Sequence, residues 1–266
     1  MKRILILATA LGLSGCAVSQ QQEVQMGSQY AAQIAQQLPL ITDPEVVRYI
    51  NVLGDSIAHV TSRSELDWHF YVVNSSEVNA FAVPGGYVYV NRGLIERANQ
   101  MDELAGVLGH EIGHVVLRHS IKQMQKQQGT SIGVTLACVL TGVCSNPVSN
   151  EAINVGAGAL FAKFSRTDEA QADEQGFKNV VRAGISPVGL VTMFQTLIDE
   201  RKSAPGAVDA WFATHPLEED RIADVQKLIN TLPPAELASL TKDTQNFHAF
   251  KNRLASLPAP PPTRSQ

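Results

Sequence analysis

Apolar residues recur at helical spacing along most of this chain, which predicts a largely α-helical protein. Strands are predicted only between residues 67 and 90, where aromatic and β-branched residues surround a Pro-Gly-Gly turn. Together these patterns predict an α+β fold in which a small antiparallel sheet accompanies the helices. The predicted helices cover residues 26–38, 44–60, 93–98, 102–116, 120–128, 165–182, 188–202, 216–232 and 234–257.

One stretch, residues 104–116, carries the sequence H-E-x-x-H within an otherwise apolar helix. His110 and His114 are four residues apart and share one helical face, so both imidazoles can bind one metal ion. Glu111 lies at the edge of that face, where its carboxylate can act as a general base toward a water on the metal. The pattern predicts a zinc site in a zincin domain of the gluzincin-like type. The alternative is a buried helix whose polar groups are satisfied within the core.

A catalytic zinc site needs a third protein ligand, and the sequence narrows where it lies. A metzincin is excluded, because Leu117 and Ser120 stand where that class has glycine and histidine. His119 is five residues after His114, which turns it off the ligand face of a continuous helix. It is therefore interpreted as a histidine at a helix end or on the surface.

The third ligand is expected beyond residue 150. Residues 116–149 contain no Asp or Glu, which excludes a thermolysin-like ligand about twenty residues downstream. Candidates are Glu151 and an acidic cluster at residues 168–174. Glu169 is preferred because it shares a helical face with Asp173, so that one carboxylate can bind metal while the other orients a ligand histidine. The alternative for the cluster is a solvated acidic face.

The segment before the Pro-Gly-Gly turn is a candidate for binding substrate. It contains Asn79, Ala80, Phe81 and Ala82 in a predicted strand. An extended peptide can pair with the edge of such a strand through main-chain hydrogen bonds, without a particular side-chain sequence. The alternative is a purely structural hairpin.

The N-terminus has the features of an export signal. Two basic residues precede an apolar run at residues 4–13, which is too short for a membrane span. The sequence Leu-Ser-Gly-Cys that ends at Cys16 resembles the lipobox of bacterial lipoproteins. These features predict a signal peptide at residues 1–15, lipidation of Cys16 and a tether at residues 16–25. Because Ala17 rather than aspartate follows the cysteine, the resemblance favours the outer membrane over the inner membrane.

Composition and charge fit a single globular domain, predicted at residues 26–257, with a disordered proline-rich tail at residues 258–266. The chain has a formal net charge of −4, so it lacks the basic footprint of a nucleic-acid-binding protein. Export would allow Cys138 and Cys144 to form a disulfide, although Cys138 also fits as a small core residue. Residues 129–162 are interpreted as helices over the site or as a mobile cover.

A second motif links the acidic cluster to a known family. The sequence S-R-x-x-E-x-x-A-D-x-x-G, from Ser165 to Gly176, follows H-E-x-x-H and resembles the zinc peptidase family that includes HtpX and the CAAX prenyl proteases. The resemblance extends over residues 43–229 and includes the strand segment. It implies one Zn²⁺ per chain, with His110, His114 and Glu169 as ligands. It also implies Glu111 as the base and Asp173 as a partner of the ligands.

A third motif of the same family is similar to Thr214-His215-Pro216 with Arg221 following. His215 would bind zinc in a closed state that excludes water, or donate a hydrogen bond to the tetrahedral intermediate. Alternatively, it only packs at the start of a helix. Arg221 would hold a carboxylate near the site, or form a surface ion pair.

The resemblance implies a zinc endopeptidase of the bacterial cell envelope, in the periplasmic lipoprotein branch of that family. Its expected partners are protein or peptide substrates, the membrane through the lipid on Cys16, and outer-membrane assembly proteins. Misfolded or unassembled envelope proteins are the expected substrates. Two alternatives remain: a chaperone-like binding module with a structural or latent zinc site, and a zinc amidase that acts on cell-wall peptides.

Overall fold

The computed structural model describes residues 18–128, 163–204, 206, 208–216 and 219–261. Several predicted features lie outside the described residues, so they remain predictions. These are the signal peptide at residues 1–15, the lipidation site Cys16, the pair Cys138 and Cys144, the cover at residues 129–162, the rival ligand Glu151, and the tail from residue 262 onward.

The described residues form a mainly helical α+β fold, which confirms the predicted fold class. No helix among them has the length and apolar composition that a membrane span requires. The strands are β1 His69–Val73, β2 Ala80–Val83 and β3 Tyr87–Asn91. The helices are α1 Gln20–Gln37, α2 Pro44–Ala58, α3 Arg92–Arg97, α4 Met101–Val116, α5 His119–Gln128, α6 Arg166–Arg182, α7 Val188–Ser203, α8 Asp209–Thr214, α9 Glu219–Ile229, α10 Pro234–Ser239 and α11 Gln245–Ser256.

The three strands form a mixed sheet in the order β1-β3-β2, so the predicted antiparallel sheet is wrong in one of its two pairings. β2 and β3 are antiparallel, with Ala82 opposite Val88, and a turn with two left-handed glycines joins them. β1 instead runs parallel to β3, with Phe70 opposite Val88. Side-chain alternation is the same in both kinds of pairing, and therefore it does not distinguish them.

Helix α4, which carries H-E-x-x-H, lies in the middle of the core. Every residue from Met101 to Val115 is buried. Its apolar side chains join one large hydrophobic cluster that includes residues of α2, α6, α7 and the sheet. The burial that its sequence predicts is confirmed. Its polar side chains must therefore find partners inside the protein.

Two close approaches between α4 and α6 set the distance between these helices. A Cβ atom at Gly113 would lie 2.9 Å from the carbonyl oxygen of Ala172, and one at Gly176 would lie 3.0 Å from the amide nitrogen of His110. The two backbones therefore touch at positions where only glycine fits without a shift. This contact brings the carboxylates of α6 within reach of the histidines of α4.

Helix α1 begins at Gln20, six residues earlier than the helix predicted at residues 26–38 and within the stretch interpreted as a tether. Ser19 and Gln22 form a capping box, in which the Ser19 side chain accepts from the Gln22 amide and the Gln22 side chain accepts from the Ser19 amide. A stretch rich in Gln and Ser is typical of a flexible tether, but this reciprocal cap starts a helix.

Helix α1 is joined to the end of α4 by a buried ion cluster. The Glu23 carboxylate is 1% exposed and accepts from Arg63 at 2.7 and 3.2 Å and from Arg118 at 2.7 Å. Arg63 also donates to the carbonyl oxygen of Val115 at 3.0 Å. Cations near the last carbonyl groups of a helix are favourable, so the cluster stabilises the C-terminal end of α4.

We expect the substitution Gly113→Ala to lower the free energy of unfolding by about 1–3 kcal/mol, because the added methyl group forces α4 and α6 apart. Chemical denaturation of the purified protein measures this loss. Lys178→Ala is the control, since Lys178 lies exposed on α6 and pairs with Glu174. Equal stability of Gly113→Ala and the parent protein would contradict the close approach.

Candidate metal centre

The structure brings four buried side chains from three parts of the chain to one point. They are His110 and His114 of α4, Glu169 of α6, and His215, which directly follows α8. One ligand atom from each lies within 4.8 Å of those from the other three. The sequence predicted that the first three would meet. It left the place of His215 open.

The spacing of these four atoms fits one tetrahedral divalent ion. The two Nε2 atoms of His110 and His114 lie 3.0 Å apart, and His215 Nδ1 lies 3.4 Å from His110 Nε2. Glu169 Oε1 lies 3.4 Å from His114 Nε2 and 3.1 Å from His215 Nδ1. Zinc bonds of roughly 2.0–2.2 Å in a tetrahedron place their ligand atoms about 3.3 Å apart. The donor types and their spacing therefore fit zinc.

Asp173 fixes the orientation of His110. Its Oδ1 atom lies 2.8 Å from His110 Nδ1, and a carboxylate oxygen can only accept a hydrogen bond. The proton of the imidazole is therefore on Nδ1, and the lone pair of Nε2 points toward the other ligand atoms. Glu169 and Asp173 are one helical turn apart on α6, as their spacing predicted.

Arg221 of α9 balances the charge of both carboxylates. It donates to Asp173 twice, at 2.7 Å each, and to Glu169 Oε2 at 2.5 Å. The guanidinium is buried, so the alternative of a surface ion pair is wrong. Burial alone would raise the pKa of the Asp173 carboxyl, but Arg221 and His110 hold that pKa below its usual value.

Glu111 is buried beside the ligand atoms and makes no hydrogen bond through its Oε1 atom within the described part of the chain. That atom lies 3.5 Å from His215 Nε2. Burial raises the pKa of the Glu111 carboxyl above its usual value, although His215 and His110 oppose this shift. A buried carboxylate oxygen with unused acceptor capacity is suited to accept a proton from a molecule that enters the site.

His215 does more than pack, and it lies at the end of α8 rather than at the start of a helix. Its ring stacks on Trp211, with the centroids 4.7 Å apart, and its Nδ1 atom contacts Glu169. Burial opposes protonation of His215, but Glu169 and Glu111 together raise its pKa above the usual value. The side chain therefore occupies the fourth corner of the candidate site.

His119 lies at a helix end, as predicted, but it is buried and contacts a candidate ligand. Its Nδ1 atom is 3.0 Å from His114 Nδ1. The prediction assumed one continuous helix, whereas α4 ends at Val116 and Arg118 has a left-handed φ of 59°. That turn returns the side chain of His119 toward His114. The sequence has no glycine at this position to signal the turn.

Sequence reasoning also missed Phe164. Its ring lies against His114, with centroids 4.1 Å apart, and its amide donates to the carbonyl oxygen of Thr214 at 3.0 Å. It thereby links the segment before α6 to the segment that carries His215. A single phenylalanine in a loop gives no periodic signal, so no pattern would have identified it.

The candidate substrate segment forms the edge of the sheet next to α4. Ala80, Phe81 and Ala82 belong to β2, one of the two outer strands of the sheet, and Asn79 directly precedes it. Phe81 stacks on Tyr89 of the neighbouring strand with centroids 4.9 Å apart. The buried Oδ1 atom of Asn79 has no hydrogen-bond partner within the described residues.

A buried H-E-x-x-H helix with a downstream glutamate at tetrahedral distance defines the class of the metallopeptidases. Comparison with known families agrees, since residues 44–229 match Peptidase family M48. The chain belongs to this family. Membership implies a divalent metal ion.

Individual relatives support the same family. The chain is 31% identical to the beta-barrel assembly-enhancing protease of Escherichia coli over 249 residues, which are 90% of this chain and 50% of that protein. It is 30% identical to metalloprotease YcaL of the same organism over 222 residues, 84% of this chain and 80% of YcaL. For the mitochondrial metalloendopeptidase OMA1 of Schizosaccharomyces pombe, the identity is 31% over 195 residues, 73% of this chain and 56% of OMA1. The chain thus spans about half the length of the beta-barrel assembly-enhancing proteases.

We expect Arg221→Met to destabilise the metal-free protein by about 3–5 kcal/mol at neutral pH, because it leaves two buried carboxylates without their cation. In the parent protein, the lowered pKa of Asp173 contributes stability above the ordinary carboxyl pKa. That stability is lost as the pH falls through the lower folded-state pKa. The variant should therefore lose less stability on acidification.

Thermal unfolding between neutral and acidic pH measures both effects. Arg253→Met is a matched control, because Arg253 pairs with Asp43 at the surface. The control should lose much less stability than Arg221→Met. Similar losses in the two variants would contradict a buried charge balance at Arg221.

Proposed function

We propose that this chain is a zinc-dependent endopeptidase, with His110, His114 and Glu169 as zinc ligands and Glu111 as the general base. One observation carries the proposal: the buried nitrogen and oxygen donors of these three residues lie 3.0–3.7 Å apart, beside a carboxylate with unused acceptor capacity. This is the donor set that zinc prefers in hydrolytic sites.

The zinc ion and Glu111 would have separate roles in peptide hydrolysis. When bound, zinc would polarise the scissile carbonyl group and make water a stronger acid. Glu111 would accept the proton of the attacking water and pass it to the leaving amine. Because Glu111 is buried among the ligands, the proton moves over a short distance inside a site that excludes bulk water.

Asp173 and Arg221 would position the ligands. Asp173 orients His110, and Arg221 holds the carboxylates of Asp173 and Glu169 together. Neither residue contacts the reacting atoms in this proposal. Their role is to keep two ligands from different helices at bonding distance from one ion.

Strand β2 would hold the substrate. It is one of the two edge strands of the sheet and packs beside α4. A peptide that pairs with this edge through Asn79 and Ala80–Val83 would lie extended across the site, and main-chain pairing tolerates many side-chain sequences. Such tolerance suits an enzyme with unfolded or unassembled proteins as substrates.

His215 would act as a gate at the fourth ligand position. In the described conformation its Nδ1 atom occupies the place that water or substrate needs. The site is then closed, and His215 must move before hydrolysis. After that movement, its ring could donate a hydrogen bond to the developing oxyanion.

The proposed location is the periplasm, with lipid on Cys16 anchoring the enzyme to the outer membrane. Two observations support it: the lipobox-like sequence that ends at Cys16, and the similarity to a protease named for beta-barrel assembly. The proposed role is quality control of misfolded or unassembled envelope proteins. Proteins of outer-membrane assembly are the proposed partners.

We expect Glu111→Gln to lower the rate of casein cleavage roughly 100- to 10,000-fold while zinc remains bound, because the amide no longer takes up the proton. Zinc content and cleavage rate are measured on the same preparation. His110→Ala is the companion variant and should lose both. Casein cleavage by Glu111→Gln at the parent rate would contradict the hydrolytic mechanism. Digestion of muropeptides without any proteolysis would indicate an amidase instead.

A further inference from the structure

We propose that His119 and Gln171 form a hydrogen-bond chain that positions the second zinc ligand, His114, and fixes its proton on Nδ1. The inference rests on the proposed role of His114 as a ligand. It assigns His119 and Gln171 as positioning residues, because neither contacts the reacting atoms. This hydrogen-bond chain runs from Gln171 of α6 through His119 to His114 of α4.

The distances define this chain. His119 Nδ1 lies 3.0 Å from His114 Nδ1, and the opposite nitrogen of His119, Nε2, lies 3.1 Å from Gln171 Oε1. His119 is 1% exposed, so water does not compete for either nitrogen. Both ring nitrogens of His119 are therefore used within the protein.

The protons in this chain can be assigned from either end. Zinc on His114 Nε2 leaves the ring proton on Nδ1, which then needs an acceptor. At the other end, the amide oxygen of Gln171 can only accept, so the proton of His119 is on Nε2. The lone pair of His119 Nδ1 then accepts from His114 Nδ1. The proton positions assigned from the two ends agree, so each hydrogen bond between His114, His119 and Gln171 has one donor and one acceptor.

Asp168 supports the same direction. Its Oδ1 atom lies 3.8 Å from His119 Nε2, and a carboxylate oxygen also can only accept. Two acceptor oxygens thus face His119 Nε2. The neutral partner of His114 contrasts with the carboxylate of Asp173, which orients His110.

The turn between α4 and α5 places His119 at this position. Arg118 has a φ of 59°, which is unusual for a residue with a side chain. Its guanidinium donates to Glu23 at 2.7 Å and to the carbonyl oxygen of Val18 at 2.6 Å. These bonds hold the turn, so α1 contributes to the position of His119.

The first test is the affinity for zinc, measured by competition with a chromogenic chelator. We expect His119→Leu to weaken zinc binding about 10- to 100-fold, as is typical when a residue that orients a metal ligand is removed. Gln171→Glu should keep the affinity, because its carboxylate accepts from His119. His248→Leu is the control, since His248 lies exposed beside Asp243 and should leave the affinity unchanged.

The second test is ¹⁵N NMR of the histidine rings in the zinc-loaded protein. His119 should be neutral with its proton on Nε2, and this signal should persist in Gln171→Glu. Gln171 lies at the surface, so Gln171→Glu tests the chain without endangering the fold. Zinc affinity of His119→Leu equal to that of the parent, or a proton on Nδ1 of His119, would overturn the inference. Neither readout depends on peptide cleavage, so failure of the enzymatic proposal is seen separately.

Discussion

The burial of charge beside α4 is the constraint on which the site depends. His110, Glu111 and His114 lie in a helix that is buried through almost its whole length, so their polar atoms require partners inside the protein. The partners are the carboxylates of Glu169 and Asp173 on α6 and the guanidinium of Arg221 on α9. The carboxylates of Glu169 and Asp173 would themselves be costly there without Arg221. The site therefore forms only when three helices pack together.

Much of this arrangement could be predicted from the sequence. The spacing within H-E-x-x-H and the four-residue spacing of Glu169 and Asp173 are periodic signals, and helical geometry converts them directly into shared faces. The position of His119 depends on the left-handed backbone conformation of Arg118, which no glycine signals in the sequence. The parallel pairing of β1 with β3 depends on the order of the strands in the sheet, which side-chain alternation does not reveal. The early start of α1 depends on a side-chain cap and on Glu23, whose arginine partners are 40 and 95 residues away. Such contacts leave no periodic trace.

The two ligand histidines are held in different ways, and this difference connects distant parts of the fold. His110 contacts a carboxylate that is neutralised by Arg221, whereas His114 contacts a neutral histidine whose position depends on the turn at Arg118. The same turn is bound to α1 through Glu23. His215 completes the ring of donors from a third direction. In the proposed mechanism, His215 is the ligand-like side chain that must leave for substrate to enter.

A crystal structure of the zinc-loaded protein, with anomalous diffraction recorded at the zinc edge, tests the central claim most directly. The ion is predicted to lie roughly 2.0–2.2 Å from His110 Nε2, His114 Nε2 and a carboxylate oxygen of Glu169. In the closed state, His215 Nδ1 should be the fourth ligand. An ion bound by Glu151 in place of Glu169, or an ion away from the H-E-x-x-H helix, would contradict the account.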